Sequence, residues 1–198
     1  MAFKAEVRAE NQYWSEKAIR SKLRAAMSAR TEKPTADSGR ALADAFLAND
    51  RVNQMLIDLI DPKIWRAPPP CSKRRNIATS FAHIHNVRVM RLGMSGKGAR
   101  PERLDRANVT QAGAKRALAE SARAMAKLIA EASAAGGRVK GFPPGIETLV
   151  CAGISHEAHH RGQICHWARE LGAPITPLEQ VELWDWNKHW KRVVSGKH

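Results

Sequence analysis

The sequence predicts an all-α protein: a four-helix bundle with an N-terminal helical extension and a short C-terminal helix. Three observations predict it. Ala, Leu, Arg, Glu and Lys dominate, while runs of β-branched residues are scarce. Four long stretches repeat apolar residues at spacings of 3, 4 and 7, the helical period. Breaks rich in proline or glycine separate those stretches. With 198 residues and 43% apolar side chains, the chain is long enough to bury a core.

Taken in order, residues 1–33 mix charged and apolar side chains from Phe3 through Tyr13 and Trp14 to Met27, and read as a helix-prone extension. Pro34 breaks it, so the expected organisation is an extension and linker over 1–34 and a bundle over 35–198. The first long helix is expected over about 38–60, with Ser38 as N-cap and Asp61-Pro62 as the stop. Its stripe of Leu42, Phe46, Asn49, Asn53, Leu56 and Ile60 carries two asparagines among apolar neighbours. They read either as polar groups lining a pocket or as a helix-to-helix hydrogen bond in the core. A proline-bearing loop from Trp65 to Ser72 leads to a second helix over about 73–94, followed by a loop holding Gly96, Gly98 and Pro101. The third helix, about 108–135, aligns Leu118, Ala122, Met125, Ile129 and Ala132 and ends at Gly136-Gly137. A fourth is expected over about 145–171, stopped by Gly172, and a fifth over about 177–194 with Trp184, Trp186 and Trp190.

Charge and cysteine content narrow the function classes. Lys and Arg number 33 against 19 acidic residues, a formal net charge of +14. The basic residues are spread along the chain and interleaved with apolar ones, so specific nucleic-acid binding is not expected. Cys71, Cys151 and Cys165 are odd in number and lack CxxC spacing, which argues against a disulfide framework or a thiolate zinc site. Cys71, beside Pro70 in a loop, shows no sign of an activated thiol. No apolar run approaches a membrane span and no signal-peptide pattern opens the chain; the expected location is the cytoplasm.

The fourth helix carries the chemistry. At 100° per residue, Leu149, Ala152, Gly153, His156, His160, Gln163, Ile164, Trp167 and Leu171 form one stripe, with His156 and His160 a turn apart at its middle. One histidine on an apolar face is usually a satisfied core residue. Two aligned there must find partners for four ring nitrogens, and a shared metal ion satisfies two at once. The third ligand would come from the second helix, where His83 and His85 lie on nearly opposite faces. Periodicity leaves both open. His159 and His166 fall to the side of the stripe.

The run Ser155-His156-Glu157-Ala158-His159-His160-Arg161-Gly162-Gln163-Ile164, followed by Leu171-Gly172, resembles the H-x-x-x-H-R-G-Q motif of the DinB/YfiT-like metalloenzymes. Asn76-Ile77 through Phe81-Ala82-His83-Ile84 resembles that family's second-helix signature, and the resemblance spans about 38–194. It implies a four-helix bundle binding one divalent ion, zinc or nickel, through His83, His156 and His160, and so selects His83 over His85. It further implies a metal-dependent enzyme acting on a small molecule: a transferase using a low-molecular-weight thiol, or a hydrolase. It also favours a homodimer. The family name reflects DNA-damage induction, a stress response, and does not argue for DNA binding.

Two other functions compete. His156-Glu157-Ala158-His159-His160 also satisfies H-E-x-x-H, the zinc-peptidase pattern with Glu as general base. No downstream ligand has the metzincin spacing, and Glu157 lies about 100° round the helix from His156. The other is a non-catalytic binding protein, metal-dependent or DNA-associated. The small residues Cys151, Ser155, Ala158, Gly162 and Cys165 form a seam opposite the histidines, suited to close approach by another helix of this chain or by a second copy.

Overall fold

The computed structural model of the chain describes residues 36–69, 75–96 and 100–196. The extension 1–33 and Cys71 lie outside the described residues. Chain contacts divide between Lys33 and Pro34, and the described residues all belong to the second unit, Pro34–His198.

Among the described residues six helices follow one another: α1 Ala36–Leu59, α2 Ile77–Ser95, α3 Gln111–Ala134, α4 Ile146–Glu170, α5 Pro177–Trp184 and α6 Trp186–Val194. Among the described residues there is no strand, only an isolated bridge between Val139 and Phe142. The first four helices pack on one another as the bundle, and α5 and α6 lie against α1.

Local chemistry explains most of the boundaries. Asn76 caps α2 by accepting from the Thr79 N–H, and Thr110 caps α3 by accepting from Gly113. After α3, Gly136 and Gly137 take φ of 90° and 79°, a turn that side chains resist. Two expectations need correction. Ser38 does not cap α1, which begins at Ala36. The fifth helix is two helices, because Asp185 leaves helical geometry at ψ 72° and its carboxylate caps α6 at Lys188 N.

Among the described residues the core consists of two apolar clusters. One gathers Leu56, Ile57, Phe81, Leu118 and Ile164; the other gathers Phe46, Met125, Ile129, Ile146 and Leu149. Each bundle helix places buried polar residues at the level between them: Asn49, Asp50 and Asn53 on α1, Arg88 on α2, Ser121 on α3, Glu157 on α4. Burying so many polar groups is costly unless each finds a partner, and here nearly all do.

Candidate metal centre

Arg88 is the hub of the polar layer. It is 2% exposed and sends Nε and Nη2 to the two oxygens of Glu157, both at 2.7 Å. Its Nη1 reaches Asp50 Oδ1 at 2.7 Å and the Leu118 carbonyl at 2.9 Å. Asn49 and Asn53 each donate a side-chain N–H to Glu157 Oε2, at 2.6 and 2.7 Å. Of the two sequence readings for these asparagines, the helix-to-helix hydrogen bond is therefore the observed one. Arg161 in turn donates to Asn53 Oδ1 at 2.8 Å. Burial alone would raise the Glu157 pKa, but the Arg88 guanidinium outweighs it and holds the carboxyl below its usual range. Burial alone would lower Arg88, and the charges of Glu157 and Asp50 reverse that.

Holding Glu157 in this layer sets the rotation of α4. The buried face runs Ile146, Leu149, Val150, Gly153, Glu157, His160, Ile164 and Ala168. At 100° per residue its centre is roughly 60° from the stripe expected from sequence. Ala152, His156, Gln163 and Trp167 are consequently only half-buried. The stripe read from sequence left Glu157 out, whereas the fold buries it. The rotation puts His156 at the edge of the core, where a ligand can reach it.

Three imidazoles meet at that edge. His156 Nε2 lies 3.2 Å from His83 Nε2 and 3.1 Å from His160 Nε2. One ring nitrogen from each of the three falls within 4.8 Å of the others. The His83 and His160 rings meet edge to face, with centroids 4.7 Å apart. Gln163 fixes the tautomer of His160. Its Oε1 carbonyl, 2.9 Å from Nδ1, requires the proton on Nδ1 and leaves the Nε2 lone pair facing the other two rings. Burial lowers the pKa of all three, and for His83 the charges of Arg75, His160, His156 and Arg106 add to it, bringing it to about 4. Neutral imidazoles are the form that ligates metal.

The donor set fits a divalent ion. Two nitrogens 3.1–3.2 Å apart, each about 2.05 Å from a common centre, subtend roughly 100° there, close to tetrahedral. His85 is excluded from the group. It is fully buried, with Nδ1 3.1 Å from Ser121 Oγ and Nε2 2.8 Å from the Glu102 carbonyl. His159 and His166 are exposed; the His159 ring leans on His160 with centroids 5.2 Å apart.

Comparison with protein-family models matches the DinB family over residues 146–192. Over that segment the chain is similar to the DinB family. The matched segment begins with α4 and ends within α6, so it contains His156 and His160 but not His83. Comparison with curated proteins and with solved structures returned no match. Sequence reading missed the roles of Arg88, Asp50 and Glu157 in the bundle. The available signal was Arg88, a charged residue on the same face as Phe81 and Leu92.

Proposed function

We propose that His83, His156 and His160 hold one divalent ion, zinc or nickel, and that the protein is a metal-dependent enzyme acting on a small molecule. The convergence of three imidazole nitrogens carries this reading. Three protein ligands leave room for water or substrate, the arrangement of catalytic sites; structural zinc sites fill all four positions. A divalent ion there would supply Lewis-acid activation of water or of a substrate thiol. Arg75 and Arg106 act electrostatically on His83 and favour an anionic group beside it, a thiolate or a substrate carboxylate alike.

This chain's own residues would do the rest. Gln163 keeps the His160 lone pair aimed at the site, and the Arg88–Glu157 bonds hold α4 in the rotation that presents His156. Glu157 is not placed to act as a peptidase general base, since both its oxygens already accept hydrogen bonds in the core. Elemental analysis of the purified protein tests the ion: about one zinc or nickel per chain is expected, absent from a His156→Ala/His160→Ala variant. Assay of metal-loaded and chelated protein with a small electrophile and a thiol tests the reaction. Turnover that is unchanged by chelation would discard it.

We also propose a homodimer joined along the outer side of α4. Nothing lies within 4 Å of a Cβ built on Gly162, and Cys151 and Ser155 beside it are exposed. The neighbouring α5 adds exposed Leu178, Val181 and Trp184. A monomer by light scattering would remove the dimer.

A further inference from the structure

Away from the histidines, α1, α3 and α6 enclose a cavity of ≈ 570 Å³. None of its walls is formed by His83, His156 or His160. Three carboxylates line it, and each already has a cation: Asp50 has Arg88 at 2.7 Å, Asp58 has Lys115 at 2.6 Å and Glu182 has Lys188 at 3.7 Å. Three guanidiniums are left over, one from each helix: Arg51 on α1, Arg123 on α3 and Arg192 on α6. Among the described residues no carboxylate stands within ion-pair reach of them.

Arg51 is the informative member. Its Nε is buried and has no hydrogen-bond partner. A buried N–H of a charged group is rarely left unmet, since the cost exceeds that of an ordinary lost hydrogen bond. Burial lowers its pKa and the like charge of Arg192 lowers it further, while Asp50, already bound to Arg88, offsets only part of this. Guanidinium groups on one concavity whose carboxylates are already paired with other cations form a receptor for phosphate or carboxylate oxygens. The remaining wall is partly apolar, with Leu47, Met55 and Val193 available to an organic body.

We propose that this cavity binds a small organic oxyanion, carrying a phosphate or paired carboxylates, through Arg51, Arg123 and Arg192. The site is separate from the histidine centre and stands whether or not that centre holds a metal.

Calorimetric titration and thermal unfolding of the full chain test it, with inorganic phosphate and citrate as probes and sodium chloride at matched ionic strength as reference. Saturable binding of one or both probes is expected, and the stronger identifies the head group. Arg51→Gln and Arg192→Gln should each weaken it about tenfold or more, the loss of one charge-assisted contact. Arg138→Gln, an exposed cation outside the cavity, removes the same charge and should leave binding unchanged. The His156→Ala/His160→Ala variant should bind the anion as wild type does, which separates this site from anion capture at a metal. In chloride alone, Arg192→Gln should be at least as stable as wild type, because it removes repulsion without breaking a pair. If Arg51→Gln does not fold, Arg123→Gln and Arg192→Gln, both exposed on one side, carry the test. Responses to phosphate and citrate no larger than to chloride, or full affinity in the arginine variants, would overturn the proposal.

Discussion

His160 commits one ring nitrogen to Gln163 and so frees the other, which makes a neighbouring amide part of the site. Gln163→Ala should therefore weaken zinc binding about tenfold while leaving one ion per chain at saturation, read by competition with a chromogenic chelator. His83→Ala should abolish tight binding. His85→Ala should keep it, yet cost about 2 kcal/mol in urea unfolding, because the Ser121 hydroxyl and the Glu102 carbonyl lose a buried partner. The reverse pattern would exchange the two histidines. The pairing of His156 with His160 is legible in a four-residue spacing. Spacing does not choose His83, since both faces of α2 are apolar; the resemblance selected it, and in the fold His85 is hydrogen-bonded elsewhere.

At the scale of one element, α4 separates two glycines that look alike in sequence. A Cβ on Gly153 would stand 3.2 Å from Phe46 Cε2, whereas one on Gly162 would meet nothing within 4 Å. Gly153→Ala should thus be destabilising by about 1 kcal/mol or more, as overpacking outweighs the gain in helix propensity. Gly162→Ala should stabilise the isolated chain by about 1 kcal/mol, measured by thermal unfolding. If Gly162→Ala instead destabilises at high protein concentration alone, another chain covers that seam. The four long helices are legible because apolar period and breakers agree over many residues. The break at Asp185 is not, since the residues around it keep a helical pattern and only the cap marks the turn. Nor does periodicity reveal the rotation of α4, which depends on a charge drawn inward by a residue 69 positions away.

For the whole molecule, acid is the natural stress. His83, His85, His156, His160 and His189 all have pKa values lowered by burial. The unfolded chain then binds protons at about 6.5 that the folded chain refuses, so unfolding takes up protons. Stability of the metal-free protein should therefore fall as pH drops below about 6.5, continuing toward 4 where His83 titrates in the fold. Glu157 acts in the same direction at lower pH, because its folded pKa is also lowered. Urea midpoints at pH 7.5 and 5.0 with chelator present check this; equal midpoints would contradict it. The arginine-lined cavity was not legible at all. Its three guanidiniums come from separate helices, and in a chain of net charge +14 no single arginine stands out.

The polar layer has one more consequence. Rotating α4 by roughly 60° would give the apolar stripe that sequence alone prefers, at the expense of parting Glu157 from Arg88, Asn49 and Asn53. Breaking a buried ion pair costs about 3–5 kcal/mol, so the charges act as a lock on a packing that hydrophobicity does not choose. Replacing Asn49, Asp50, Asn53, Arg88 and Glu157 together with Leu, Leu, Leu, Met and Leu removes the lock without leaving the two asparagine amides unpaired. Such a variant should unfold no more easily than wild type, and α4 becomes free to take other rotations in it. Its histidines should then fail to converge: zinc affinity should drop by an order of magnitude or more while the melting temperature holds. Here robustness of the fold and competence of the site would part company, and the chain has kept the second.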